Sequence, residues 1–221
     1  ELYAPGQRSY ALNWFDSQNL DQEMPAVIAN HPRIWWLTYR VPLQHESDPG
    51  GMWLESHAAR VISRAFGASR LTLYLAPCSI SPNHAREVVF DKGIHLYLGD
   101  VQQTADVNAV ISVPMAWRVD SAVEGPYKVF LHLSDGSGKV VLQQDGPPVN
   151  WLVPFERMTP GTLVSDCRGL FVPAGTPAGR YRLSVGIYRA DDGSRLTIAG
   201  KAPGTDEYVF GDIELSEAAQ R

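Results

Sequence analysis

Between residues 86 and 215 apolar side chains recur at every second position, and the runs are cut short by Asp, Gly and Pro every ten residues or so. Only a chain that lays strands side by side can use such a pattern, because a period of two sends alternate side chains to opposite faces. In the run 180–189, Tyr181, Leu183, Val185 and Ile187 point one way, while Arg182, Ser184, Gly186 and Tyr188 point the other. The first set is core. The same alternation in 109–118 turns Ile111, Val113, Met115 and Trp117 inward.

Strands are expected near 86–91, 94–102, 107–118, 127–134, 139–144, 162–172, 180–189, 194–198 and 207–215. Asp135, Gly136 and Gly138, and again Asp191, Asp192 and Gly193, supply turn residues where a hairpin needs positive φ. Short strands at this spacing predict an antiparallel two-sheet β-sandwich of immunoglobulin-like or jelly-roll type over residues 84–216.

The first third of the chain reads differently. Glu23 to Asn30 predicts a short helix with Pro25 in its first turn. Ile34-Trp35-Trp36-Leu37-Thr38-Tyr39 reads as a buried strand. After the Asp48-Pro49-Gly50-Gly51 turn, Met52, Leu54, Ala58, Ala59, Val61, Ile62 and Phe66 fit a helical stripe closed by Gly67. With a further strand at 70–75, the order is strand, helix, strand, most simply a βαβ unit with parallel strands. Residues 1–76 are thus expected to form a small, incomplete α/β unit. Residues 77–83, rich in Pro and Ser, form the linker. The fold class is mainly β, α+β overall.

Composition narrows the function. With 44% apolar residues, 19% charged residues and a net charge of -5, the chain lacks the clustered cations that a nucleic-acid surface needs. No stretch of ~20 apolar residues could span a bilayer, and no signal peptide stands at the start. The chain begins at Glu1 without Met, so a fragment of something longer is expected. Cys78 and Cys167 are far apart; the expectation is two unpaired thiols packed as small apolar groups, the alternative a single bridge in an oxidising compartment. Neither they nor the six His residues have metal-ligand spacing, and no cofactor motif is present.

The segments Tyr127-Lys128-Val129-Phe130-Leu131-His132-Leu133, Thr159-Pro160-Gly161 with Asp166, Pro177-Ala178-Gly179-Arg180-Tyr181, and Gly186-x-Tyr188 followed by Gly193-x-Arg195-Leu196 form an ordered set. Arg33-Ile34-Trp35-Trp36-Leu37 and Asp48-Pro49 with Trp53-Leu54 extend it upstream. In this order the segments resemble the extracytoplasmic C-terminal region of bacterial GT-C-type membrane glycosyltransferases, relatives of dolichyl-phosphate-mannose-protein mannosyltransferase. The resemblance covers most of the chain. It implies an extracytoplasmic module, periplasmic or at the cell surface, tethered to the membrane domain of its parent protein. A glycan or lipid-linked sugar is the implied ligand. The family's catalytic acidic residues sit beside its first membrane spans, which this chain lacks, so no catalytic residue carries over.

Trp151, in the proline-rich loop Gly146-Pro147-Pro148-Val149-Asn150-Trp151, is the leading ligand-binding candidate. Its ring could stack on a sugar while Asn150 and Asp145 take hydroxyl hydrogen bonds; the alternative is an aromatic plug at the end of the sandwich. His132, mid-strand, reads as structural because no neighbour in sequence completes a catalytic pair. Asp135, Asp191 and Asp192 read as turn residues rather than a calcium loop. Trp53, His57 and Arg60 are expected to share one helix face.

Three functions are compatible with these residues. The first is a non-catalytic accessory domain of a membrane glycosyltransferase that holds glycan or acceptor. The second is a structural or protein-interaction sandwich that binds no sugar. The third is a free-standing glycoside hydrolase, which would need two carboxylates assembled in a cleft.

Overall fold

Two largely antiparallel sheets stack face to face and bury the alternating side chains between them. The computed structural model describes residues 19–38, 48–149 and 152–216. One sheet holds four strands, β4 (Arg86–Phe90), β5 (Ile94–Leu98), β7 (Val110–Val119) and β10 (Val164–Phe171), in the order β10-β7-β5-β4. The other holds β6 (Thr104–Asp106), β8 (Tyr127–Ser134), β9 (Val140–Gly146), β11 (Gly179–Arg189) and β12 (Glu207–Ser216), in the order β6-β12-β11-β8-β9. Its β6–β12 pair is parallel. The fold is mainly β, with a two-sheet sandwich at its centre.

The inward sets are those the alternation specifies. Val113, Met115 and Trp117 of β7 are fully buried, as are Leu183, Val185 and Ile187 of β11. Trp117 meets Phe155 edge to face, with ring centroids 5.2 Å apart. Burial of each such side chain contributes roughly 1.5–3 kcal/mol. One expected strand is absent: 194–198 makes only the isolated bridges Tyr188↔Arg195 and Phe90↔Ile198. This segment bridges the end of β11 to β4, with Leu196 and Ile198 turned into the core and the Arg195 guanidinium 4.4 Å from the centre of the outward Phe130 ring. The short strand β6 had no run of β-formers to announce it.

The preceding unit departs from the expected βαβ order. Helix α1 (Leu20–Asn30) is followed by β1 (Arg33–Thr38), α2 (Pro49–His57), β2 (Ala59–Phe66) and β3 (Ser69–Leu75). The sheet order is β1-β3-β2, and both pairings are antiparallel. The helix expected over 52–66 stops at His57, and Gly67, at φ +56°, turns a hairpin instead of capping a helix. The stripe Ala58, Ala59, Val61, Ile62, Phe66 suits either period, and the β-branched pair Val61-Ile62 with a partner strand that starts at Ser69, directly after the two-residue turn, tips it to strand.

Arg60 is consequently on β2, away from the helix, whereas Trp53 and His57 do stack, with centroids 4.0 Å apart. Helix α1 begins earlier than expected, at Leu20, because Leu20 packs with Met24 and Ile28 under α2; Pro25 therefore lies inside the helix.

Asp48 locks α2 to the sheet. It accepts from Gly51 N at 2.9 Å, from Trp36 Nε1 at 3.0 Å and from Thr38 Oγ1 at 2.7 Å. A Cβ on Gly50 would lie 2.3 Å from the Trp36 ring, so the indole rests directly on the helix backbone.

The helices cover one face of this small sheet, and the other face meets β10. A Cβ on Gly169 would approach Leu75 Cδ1 and Val110 Cγ1 to 2.8 Å, so the absence of a side chain is what lets the two units close. Cys78 and Cys167 are joined by a disulfide, not held as separate thiols as expected. Their separation of 89 residues hid the pairing, and docking of the segment after β3 against β10 creates it.

Candidate functional site

Where β2, β9 and β10 converge, a cavity of about 260 Å³ opens at the seam between the two units. Its lining includes Arg60 and Ser63 of β2, Gln143, Gln144 and Asp145 of β9, and Asp166 and Arg168 of β10. Each reaches the seam through strand geometry. Strands β9 and β10 are the edges of their respective sheets, so side chains that would be central elsewhere border an opening here.

The floor is a buried polar network. Arg168 Nε donates to Asp166 Oδ2 at 2.9 Å, and its Nη2 donates to the carbonyls of Gly146 (3.0 Å) and Pro147 (2.9 Å). Asp166 Oδ2 also accepts from Trp117 Nε1 at 2.9 Å, and Oδ1 accepts from Val149 N at 3.0 Å. One carboxylate thus ties together the core Trp, the edge of the second sheet and the loop that follows it. Val149 has φ +54°, a conformation a β-branched residue seldom adopts. The bond to Asp166 holds it there.

The walls are bonded too. Gln144 Nε2 donates to Arg60 O at 2.7 Å, closing β9 onto β2. Arg60 is paired with Glu55 at 3.1 Å, and Ser63 shares a hydrogen bond with Thr72 at 3.0 Å. Asp145 lies on the outward face of β9 opposite Phe130, and its Oδ1 is 3.3 Å from His132 Nε2, an ion-pair distance without hydrogen-bond alignment. Burial raises the Tyr188 hydroxyl above its usual value, and the nearby Asp145 carboxylate raises it further against the opposing pull of Arg168.

Two guanidiniums and two carboxylates line the cavity, so its formal charge cancels while its hydrogen-bonding capacity remains. Such a surface suits a neutral, hydroxyl-rich ligand better than an ion. At 260 Å³ it is slightly below the ~300 Å³ lower end for small-molecule sites.

Of the sequence candidates, Asp145 is on this lining. Asn150 and Trp151 lie outside the described residues. His132, read as structural, is next to Asp145 instead of isolated, and no hydroxyl or thiol is bonded to it among the described residues. Asp135 and Asp192 cap their turns, each accepting from a Ser backbone N at 2.9 Å. Sequence reasoning missed Arg60, Gln143 and Arg168, whose convergence depends on the docking of two units; the polar pair Gln143-Gln144 on an edge strand was the available signal.

A second polar cluster lies on the outer face of the four-stranded sheet. His95 Nδ1 is 2.7 Å from Glu87 Oε1 and Nε2 is 2.8 Å from Asp120 Oδ2, with Arg118 3.6 Å from Asp120. Hydrogen bonding from Tyr97, and then from His95, lowers Glu87; hydrogen bonding from His95 lowers Asp120. The carboxylates are about half exposed on an open sheet face, not enclosed in a cleft. Among the described residues no group of three or more His, Cys, Asp or Glu could hold a metal ion, and no helix is long and apolar enough to cross a membrane.

Neither a protein-family model nor a curated protein matches the chain. Among solved structures, a β-glucosidase from Listeria innocua in complex with glucose overlaps 56% of the chain at 12% identity and a TM-score of 0.36; the chain spans 16% of that enzyme's length. The CARDB domain of a Pyrococcus furiosus protein overlaps 57% of the chain, and 94% of itself, at 12% identity and a TM-score of 0.33. A Niemann-Pick type C2 protein from the Japanese carpenter ant overlaps 63% of the chain, and 100% of itself, at 11% identity and a TM-score of 0.34. No site residue is carried over from them.

Proposed function

We propose that the chain is a non-catalytic, extracytoplasmic sandwich module of a membrane glycosyltransferase, and that it holds one sugar ring of a glycan or acceptor in the seam cavity. The observation that carries this reading is the charge-balanced, hydrogen-bonding lining contributed by Asp145, Gln143, Arg60 and Ser63. Two further observations support it. The ordered motifs from Tyr127 to Leu196 resemble the tails of GT-C enzymes, and the Cys78–Cys167 bridge suits an oxidising compartment.

The sugar site is tested by calorimetric titration of the chain with neutral cell-envelope saccharides. Binding in the millimolar to micromolar range is expected, weakened about tenfold or more by Asp145→Ala, in which a hydrogen bond to a charged group is lost. Absence of heat with every saccharide, or binding indifferent to both Asp145→Ala and Gln143→Ala, would count against the site.

A further inference from the structure

Most polar side chains of the seam lining are engaged within the fold. Asp166 and Arg168 bond to each other, to Trp117 and to the surrounding backbone; Gln144 takes Gly169 N and donates to Arg60 O; Arg60 pairs with Glu55, and Ser63 with Thr72. Asp145 and Gln143 are different. Neither side chain makes a hydrogen bond among the described residues. Both stand on the outward face of β9, where the register sets Asp145 opposite Phe130 and Gln143 opposite His132 of β8. The uncommitted polar groups thus share one sheet face.

His132 is the next polar group on that face. Phe130 packs against its ring with centroids 4.6 Å apart, and its partner on β11, Ser184, is buried and bonded to Glu207. These neighbours fix the ring so that Nε2 lies 3.3 Å from Asp145 Oδ1. Both atoms are buried, and neither has a hydrogen-bond partner among the described residues. Buried polar atoms in that condition are rare, because each has lost its hydration without compensation. Here a ring nitrogen that can donate faces a carboxylate oxygen that only accepts. The terminal torsion of an Asp side chain is broad, so a modest turn of the carboxylate aligns the contact. With Oδ1 buried and the Asp145 side chain still 27% exposed, the second oxygen is the one a ligand reaches.

We propose that His132 is a positioning residue of the seam site: its Nε2–H holds Asp145 Oδ1 and so fixes the second carboxylate oxygen as the acceptor for a saccharide hydroxyl. A pyranose hydroxyl suits this acceptor because it donates one hydrogen bond and takes another, here from the Gln143 amide two residues away on the same face. The inference rests on the reading of the cavity as a saccharide site and adds to it the residue that orients its acceptor.

The test is calorimetric titration of the chain and its variants with the methyl glycosides of mannose, glucose and galactose. His132→Phe keeps a ring against Phe130 and removes the donor; it should weaken binding about tenfold, the equivalent of one hydrogen bond to a charged group. His132→Gln brings an amide N–H to the reach of Nε2 and should recover binding to within about threefold of the parent. In the Asp145→Ala background His132→Phe should have no further effect, because its influence passes through the carboxylate. Unchanged melting temperatures show that each variant keeps the fold. Nitrogen NMR of the His132 ring in the chain alone reads the pair without saccharide: Nε2 should carry the proton, and its signal should move with Asp145→Ala.

Parent-like binding by His132→Phe, where Asp145→Ala and Gln143→Ala weaken it, overturns this inference and leaves the saccharide site standing. A loss that His132→Gln does not recover, or one that persists in full in the Asp145→Ala background, overturns it as well. So does a His132 spectrum indifferent to Asp145→Ala. Absence of heat with every glycoside removes the saccharide reading and this inference with it.

Discussion

Arg168 and Asp166, two residues apart on one strand, meet at 2.9 Å with side chains only 5% and 2% exposed. Their mutual attraction is supplemented by Trp117 Nε1 and Val149 N, which donate to Asp166, and by the carbonyls of Gly146 and Pro147, which accept from Arg168, so neither charge is left without partners. Removing one partner leaves the other charge stranded. Arg168→Ala and Asp166→Ala should each cost roughly 3–5 kcal/mol. Denaturant unfolding checks this; a double substitution to apolar residues of matched volume should recover much of the loss.

Trp117 is fully buried, packs on Phe155 and donates to Asp166. Trp117→Ala should cost about 3–5 kcal/mol from cavity formation, with the orphaned Asp166 oxygen adding to it. An unchanged melting temperature would refute the placement of this side chain in the core.

Phe130 points outward yet is buried, because Gly186 on the neighbouring strand leaves room for its ring. A Cβ at position 186 would lie 2.3 Å from Phe130 Cζ and 2.7 Å from Asp206 O. Gly186→Ala should therefore destabilise by roughly 1–3 kcal/mol, and Phe130→Leu in the same chain should relieve part of it. A thermal-melt double-mutant cycle reads the coupling directly.

Glu87 and Asp120 are both lowered in the folded chain, so their stabilisation is fully present above the unfolded carboxylate range and is lost as pH falls through the folded values. The loss begins below about pH 4. Glu87→Gln with Asp120→Asn should flatten the fall of melting temperature with acid, and molar salt should flatten it in the parent chain. Identical acid profiles for parent and variant would exclude a contribution from this cluster.

Reduction of the Cys78–Cys167 bridge, or Cys78→Ser with Cys167→Ser, should lower stability by about 2–4 kcal/mol, since the bond closes a long loop in the unfolded chain. Melting curves with and without dithiothreitol measure it.

The sandwich was legible in the sequence because its signal is local and repeated: Tyr181, Leu183, Val185 and Ile187 declare a face without reference to any other segment. The run 58–66 was not, since its apolar spacing satisfies a helix and a strand alike until the partner at 69–75 is considered. The seam cavity was legible at one residue only, Asp145, which adjoins a recognisable proline-rich loop. Gln143 is marked only by the polar pair it forms with Gln144, and nothing local places Arg60 or Arg168 beside it; contacts across tens of residues decide where they meet. The disulfide was hidden for the same reason.

Cys78 stands within the connecting stretch 77–83, and its bond reaches into the sandwich at Cys167. A protease that cuts anywhere from 79 to 85 would therefore not release the first unit. The nicked protein should migrate as one band without reductant and as two with it, so shedding of the leading segment requires both a cleavage and an electron donor.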